Sequence, residues 1–231
     1  MAVSSLPKSL DLAKFKRLLS ILMATYTECY IDPFGVVYGI SQNDYTIGLT
    51  RINGTEYEKL LPFIKDRYMP TASTYAIVKD LKKTKCDAVF AADGGILTLT
   101  DSSDGENRVR LYEPGDVPNL QIIYQKYEKC LPGELYDALK TNPASLLPNE
   151  CGVDKDELDS VLINIQSGGI GHYSENGQVL AFDKTMIPAA KYVTELLPKM
   201  VYTCDSHIFW NLHIKYDGLE TDIITHTIRY T

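Results

Sequence analysis

The sequence predicts an α+β protein in which a unit of helix and antiparallel sheet occurs twice. Three observations lead there. Amphipathic stretches of helical period are followed by short runs rich in β-branched and aromatic residues. The turn formers between those runs suit hairpins. The two halves of the chain also share one coarse order: amphipathic helix, strands, second helix, strands. At 231 residues the chain is long enough for one large domain or two of ordinary size. Its 45% hydrophobic and 23% charged residues exclude a chain dominated by disorder.

The first helix is expected over Leu10 to about Thr25. Leu12, Phe15, Leu18, Leu19, Leu22 and Met23 fall on one arc, and Lys14, Lys16, Arg17 and Ser20 on the other. Glu28–Ile31, Val36–Ile40 and Tyr45–Ile52 then read as an antiparallel meander with a turn at Asp32-Pro33-Phe34-Gly35. Glu58 to Tyr68 reads equally as a short helix or a covering loop. A second helix is expected over Thr74 to Thr84, its stripe being Ile77, Val78 and Leu81, with Lys79, Lys82 and Lys83 on the other side and Lys85 after it. The hairpin Asp87–Ala92 and Ile96–Thr100 follows, then a short strand at Arg108 to Tyr112. Two prolines and a glycine in Glu113–Asn119 mark a linker. The expected division is thus domain 1–113, connector 114–119 and domain 120–231.

In the second half Leu120–Tyr124 is expected as a strand and Gly133–Lys140 as a helix. A loop rich in Pro, Asn and Gly then runs from Asn142 to about Asp156. Ser160–Gln166 and Gln178–Phe182 are expected strands around the turn Ser167-Gly168-Gly169-Ile170-Gly171. Ile187–Leu197 is expected as a helix, capped by Thr185, with Pro188 at its first position and its end before Pro198. Alternation in the final strands puts Ile208, Trp210, Leu212 and Ile214 on one face and His207, Phe209, Asn211 and His213 on the other. A last strand is expected over Asp222–Tyr230.

Several chemistries are excluded or disfavoured by pattern. Five cysteines at 29, 86, 130, 151 and 204 contain no CxxC pair, so they read as reduced buried thiols, and Asn53-Gly54-Thr55 reads as a turn. No apolar run approaches the roughly 18 residues of a membrane span, and the first residues lack the apolar core of a secretory signal. The expected compartment is the cytoplasm. HExxH, GxSxG and HxE…CxxC are absent. His207 and His213 are about 20 Å apart along a strand, too far to share a metal. His226 reads as a structural histidine beside Ile224 and Ile228. The glycine-rich turn ending at His172 lacks the ending of a phosphate loop, and Asp154, Asp156, Glu157 and Asp159 lack calcium-loop spacing. No cofactor, metal or catalytic residue is expected.

The charge distribution is uneven. The formal net charge is −7. Residues 1–119 hold 14 basic against 15 acidic side chains, and residues 120–231 hold 9 against 15. In the first half the cations cluster on the two helix segments. Lys14, Lys16, Arg17, Lys79, Lys82, Lys83 and Lys85 would lie on one side of a single sheet and meet phosphates without reading bases. The competing interpretation is a solvated helix face.

This organisation resembles the DNA sliding clamps of the two-domain kind, the group that includes proliferating-cell nuclear antigen and the clamps of T4-like phages. Leu12–Leu22 with the Cys29–Ile52 strands is similar to a clamp's opening helix and strands. Tyr75–Leu81 with Asp87–Thr100 resembles its second helix and hairpin. The match covers nearly the whole chain, as a pattern without an invariant motif. The resemblance implies a clamp fold and a homotrimeric ring around duplex DNA. Helices would line the hole and edge strands would pair between subunits. The implied role is that of a non-catalytic processivity factor, with a DNA polymerase and a clamp loader as partners, and the divergence of the sequence suggests a viral chain. Partner peptides would dock beside the connector, near Val117 and Leu120. The second-half helices depart from the pattern: Glu134 and Asp137 accompany Lys140, and Glu195 accompanies Lys191. Two rival readings remain, a non-catalytic interaction or viral assembly protein without DNA binding, and a small hydrolase or transferase using His207 or His213.

Overall fold

The structure is a computed structural model that describes residues 8–41, 47–52, 66–82, 85–90, 95–100, 106–146, 154–187, 189–204, 207–216 and 219–228. Lys83, the 53–65 segment, Cys151 and Pro188 lie outside the described residues. The chain divides into two compact units, Met1–Ile40 with Arg51–Leu120, and Ser41–Thr50 with Gln121–Thr231. Each pairs helices with antiparallel strands. No helix among the described residues is long and apolar enough to cross a membrane.

In the first unit, β1 (Lys8–Asp11) runs straight into α1 (Leu12–Thr25). The Asp11 carboxylate accepts the Lys14 amide at 3.1 Å and so caps the helix. The expected arc is buried except at Met23, which is half-buried: Phe15, Leu19 and Leu22 are sealed from solvent, with Leu12 and Leu18 beside them. β2 (Tyr26–Ile31) and β3 (Val36–Ser41) follow. Their turn is held by Asp32, whose buried carboxylate accepts the amides of Phe34 and Val36. Gly39 lies under the Tyr26 ring, where a Cβ would stand 2.5 Å from a ring carbon. β4 (Ile47–Ile52) is divided between the two units. β5 (Met69–Pro70) pairs with β2 and leads into α2 (Thr71–Val78). β6 (Lys85–Phe90), β7 (Ile96–Thr100) and β8 (Asn107–Arg110) complete a four-stranded sheet in the order β1-β6-β7-β8.

The second helix lies earlier than its apolar spacing predicts. Its buried face is Thr71, Thr74 and Val78, and two of these three are polar. Thr74 Oγ1 donates to the Pro70 carbonyl, while Thr71 Oγ1 donates to the Cys29 carbonyl and meets Cys29 Sγ at 2.6 Å. Side-chain hydroxyls thus satisfy a buried helix face that hydrophobicity alone does not reveal. Burial pushes the Cys29 thiol up to about 12, so it remains an inert thiol.

In the second unit three segments differ from the sequence reading. Leu120–Tyr124 belongs to helix α3 (Leu120–Cys130), with Leu120 and Ile123 buried at i, i+3 and Ile122 exposed. A short, mostly apolar run does not separate strand from helix, and here the i, i+3 spacing prevails. α4 (Gly133–Thr141) lies where a helix is expected. Ser160–Gln166 is the end of helix α5 (Lys155–Gln166), whose buried Leu158, Leu162 and Ile165 keep a helical period. Its cap is Asp154, whose carboxylate accepts the Asp156 amide at 2.9 Å. The glycine-rich turn consequently joins a helix to a strand. Gly168 takes φ +95°, and the Gly169 amide donates to the Asn164 carbonyl, closing the helix.

β9 (Gly171–Glu175) and β10 (Gln178–Phe182) form a hairpin. The third difference is Ile187–Leu197. A single 3-10 turn at Ala190–Tyr192 leads into β11 (Val193–Thr203), and Thr185 bonds Asp183 instead of capping a helix. β11 pairs along its length with β12 (His207–Tyr216), which pairs with β13 (Leu219–Ile228). Pro198 is tolerated because β11 is the outer strand of this group. Both faces of β12 are buried, so the expected alternation holds without a solvent side. Trp210 is sealed, with its indole N–H on Thr227 Oγ1 at 3.1 Å. Thr50 and Thr221 hydroxyls meet at 2.9 Å where β4 adjoins β13.

Candidate nucleic-acid interface

The expected cations gather around α1 and α2, which pack against each other in the first unit. Lys14 and Arg17 stand exposed on α1, spaced i, i+3 and hence on one face. Lys79 and Lys82 are exposed just past the end of α2, in the Val78–Leu81 turn and after it, not on a helix face. Lys85 is exposed at the start of β6, opposite Asp11 of β1. Lys83 lies outside the described residues.

Lys16 has a different setting. Its Nζ donates to the Lys79 carbonyl at 3.1 Å and to the Leu81 carbonyl at 2.5 Å. Those carbonyls lie at the C-terminal, negative end of α2, where a cation is favoured. Lys16 therefore ties α1 to α2 and holds the turn that presents Lys79 and Lys82. It is half-buried.

The placement of charge on α1 runs against local preference. The N-terminal end of a helix carries partial positive charge, and the first turn of α1 contains Lys14 and no acidic residue. α5 follows the ordinary rule, with Asp156 and Glu157 in its first turn. Asp154, Asp156, Glu157 and Asp159 are all exposed, so they form a solvated helix start.

Other cations escape the sequence reading. Lys126 and Lys129 lie on α3, half-buried and exposed respectively, in a segment whose apolar start reads as a strand. In the first unit Arg67, Arg108 and Arg110 line a cavity of about 580 Å³ with Ile96, Tyr112 and Glu113. Arg67 pairs with Glu113 at 3.0 Å, Arg108 with Glu106 at 2.8 Å, and the Arg110 guanidinium lies over the Tyr112 ring. The Arg108-Val109-Arg110 alternation was the available signal, since it puts both arginines on one face of β8.

The connector holds one 3-10 turn, Pro114–Asp116. Val117 and Leu120 are both buried, each 8% exposed. Asn119 has φ +58° and its side-chain amide donates to Glu28 at 2.9 Å. A partner at this segment would meet the exposed neighbours of Val117 and Leu120 first.

The histidines named by the enzyme reading are not gathered into a catalytic constellation. His213 Nδ1 lies 2.9 Å from Asp222 Oδ1, both side chains buried, and Asn211 joins the same carboxylate at 3.0 Å. Asn211 also donates to the Leu146 carbonyl. The group is an imidazole, a carboxylate and an amide, all three buried. His207 sits at the far end of β12 in an aromatic group with Phe209 and His226. Among the described residues no three His, Cys, Asp or Glu side chains are gathered to hold a metal.

No family model and no curated protein matches the chain. Among solved structures it is similar to PCNA of A. fulgidus with the C-terminal region of FEN-1 bound, at 9% identity and a TM-score of 0.42, covering 98% of this chain and 99% of that one. The likeness is to sliding clamps. It extends to a DNA polymerase III beta subunit of Eubacterium rectale, at 9% identity and a TM-score of 0.43, covering 98% of this chain and 65% of that one. It extends also to the pol III beta of Caulobacter crescentus, at 8% identity and a TM-score of 0.41, covering 98% and 66%. The chain thus spans about two thirds of the bacterial beta chains it resembles.

Proposed function

We propose that this chain is a DNA sliding clamp, a non-catalytic processivity factor that encircles duplex DNA and tethers a polymerase. The observation that carries the reading is the cationic surface around α1 and α2, where Lys14 occupies a helix N-terminus that local electrostatics would give to an acid. Lys14, Arg17, Lys79, Lys82, Lys83 and Lys85 would touch phosphates, while Lys16 braces their turn. Interactions of this kind do not read sequence and exchange readily with counterions, which suits a protein that must slide. The ring would be a homotrimer working in the cytoplasm, that of the host if the chain is viral. Topological linkage would replace repeated encounter by a high local concentration of polymerase. Partners, including a clamp loader, would dock beside Val117 and Leu120.

The test is retention on circular duplex DNA. The variant Lys79→Glu, Lys82→Glu, Lys83→Glu should remain folded and lose retention. The slope of log affinity against log salt should fall by about 0.9 for each phosphate no longer neutralised. Light scattering should give three chains per particle. A stable monomer, or unaltered retention in the triple variant, defeats the reading.

One observation favours a second reading, an interaction or assembly protein that does not hold DNA. The exposed start of α5 is acidic, so a ring lined by this helix as well would present both signs of charge. A monomer that co-purifies with a protein partner and ignores DNA would favour that alternative.

A further inference from the structure

The cavity lined by Arg67, Arg108 and Arg110 lies within the first unit and shares no residue with the cationic set around α1 and α2. Its walls follow from strand alternation. In β7 and β8, Leu97, Leu99 and Val109 are buried, so Ile96, Arg108 and Arg110 point the other way. Ile96 stands opposite Arg110 in the ladder and keeps 39% of its surface exposed. Tyr112, two residues beyond Arg110, exchanges backbone hydrogen bonds of 2.8 and 3.0 Å with Tyr68. Its ring also meets the Tyr30 ring at right angles, with centres 6.0 Å apart. An apolar wall, an anchored aromatic wall and three guanidinium groups thus meet in one preformed concavity.

The three arginines differ in what already holds them. Arg67 is half-buried and pairs with Glu113 at 3.0 Å, so it braces the wall. Arg108 pairs with Glu106, but the two side chains are 65% and 61% exposed. An ion pair so open to water contributes little and yields to an anion that takes the guanidinium bidentately. Arg110 makes no ion pair among the described residues; its guanidinium lies over the Tyr112 ring, 5.5 Å from the centre. An arginine in that position offers the outer side of its plane to a second flat π-system, while its N–H groups still reach an anion. Arg108 and Arg110 leave one face of β8 two residues apart, so their stems start about 6.6 Å from each other.

We propose that this cavity binds a nucleoside phosphate, with the phosphate between Arg108 and Arg110 and the base against the Arg110–Tyr112 pair and Ile96. Size agrees, since about 580 Å³ falls within the roughly 300–1,000 Å³ of small-molecule sites. Charge agrees as well. Glu113 and Asp116 share the lining, so three cations meet two carboxylates and one net positive charge remains. Such a lining disfavours a bare polyanion and suits a ligand that carries hydroxyl and amino donors beside its phosphate. An acidic peptide supplies the anion but not the flat ring that the Arg110–Tyr112 pair matches. A free nucleotide and the phosphorylated end of a single strand present the same chemistry here.

The experiment is a calorimetric titration of the full chain with adenosine 5′-monophosphate at low salt. One nucleotide per chain should bind, and inorganic phosphate, adenosine and an aspartate-rich peptide should each bind at least tenfold more weakly. Arg108→Ala and Arg110→Ala should each cut nucleotide affinity at least tenfold, while the double variant Lys79→Glu, Lys82→Glu should leave it unchanged. A single-stranded oligonucleotide with and without a 5′-phosphate separates the two sources. Tighter binding than the mononucleotide, dependent on that phosphate and on Arg108, assigns the site to strand ends; equal or weaker binding assigns it to free nucleotides. The site is overturned if neither probe binds saturably, if phosphate or the acidic peptide binds as tightly as the nucleotide, or if either arginine variant keeps native affinity. Amide NMR of the native chain decides the matter should a variant misfold. The nucleotide should shift Ile96 and the Arg108–Glu113 segment, and shifts confined to other segments defeat the proposal. None of these readouts requires duplex DNA or a ring, so they stand or fall separately from the clamp reading.

Discussion

Helices α1 and α5 start with the same device and then diverge. Each is capped by an aspartate, Asp11 in one and Asp154 in the other, whose carboxylate accepts an amide of the first turn. After the cap α5 continues with Asp156 and Glu157, in agreement with its dipole, while α1 continues with Lys14, Lys16 and Arg17. Both bury an ordinary apolar stripe. The difference lies on the exposed side at Lys14 and Arg17, while Lys16 is half-buried and braces the end of α2. The unfavourable charge at Lys14 has no counterpart in α5, and the proposed DNA contact is what would account for it. The acidic start of α5 needs no such account.

Each helix stands on the core of its own unit, so the largest expected effects are there. Phe15→Ala under α1 and Trp210→Ala in β12 should each cost about 3–5 kcal/mol. Both side chains are fully buried. Hydrogen exchange after Trp210→Ala should release the β11–β13 amides more than those of α1, and Phe15→Ala should do the reverse. Equal release in both units for either change would mean that the two helices do not occupy independent settings.

Lys16 and the caps come next. Lys16→Met should lose about 1–2 kcal/mol, because two carbonyls at the end of α2 lose their charged donor. Asp11→Ala and Asp154→Ala should each lose about 1 kcal/mol, measured by chemical denaturation. The cap loss should be larger at α1, whose first turn has no acid of its own, whereas α5 keeps Asp156 and Glu157. A larger loss at α5 would show that the first-turn acids contribute little, and the contrast between the helices would weaken.

Legibility followed the same line between packing and local pattern. α1 could be read because Leu12, Phe15, Leu19 and Leu22 repeat with helical period over fourteen residues. The β12 strand could be read from its alternation. α2 was displaced because Thr71 and Thr74 are buried through hydroxyl bonds to Cys29 and Pro70 carbonyls, a partner choice invisible in one sequence. α3 and the end of α5 are helices written in β-branched and aromatic residues, and the period of α5 becomes clear only when Leu158 is counted with Leu162 and Ile165. Ile187–Leu197 reads as a helix, but its Val193–Leu197 part is the start of β11 and is held in a long ladder with β12. Of the cation set, exposure of Lys14 and Arg17 followed from the arc of α1, whereas Lys79 and Lys82 are exposed past the end of α2 and not on the helix face expected for them. The bracing role of Lys16 did not follow from pattern, because it depends on carbonyls more than sixty residues away.

A single charge reversal on α1 should act with opposite signs on fold and binding. Lys14→Glu should stabilise α1 by about 0.3–1 kcal/mol, since an acid then occupies the positive end of the helix. The same change should weaken DNA retention. Denaturation and retention measured on one preparation read both signs. If Lys14→Glu lowers stability, the cation is not opposed by the helix dipole and its presence on α1 says nothing about a partner.

The smallest effects concern pH, and they set the two units in opposite directions. In the second unit, burial first and then the nearby His207 hold His226 below the ordinary 6.5. Above that pH both folded and unfolded chains carry it neutral. As pH falls through 6.5 the unfolded chain takes up the proton first, so stability declines until the folded value is passed and then levels off. In the first unit, burial raises the Asp32 carboxyl above the ordinary 3.8, against the pull of the Val36, Phe34 and Gly35 amides. There the folded chain takes up the proton first, so acidification from above the folded value towards 3.8 favours the fold at that site. His207→Ala should narrow the His226 window without closing it, because burial remains. NMR titration of the His226 ring reads this directly. A His226 that titrates at or above 6.5 in the native chain would mean that neither burial nor His207 acts on it, and the acid-side decline assigned to the second unit would need another group.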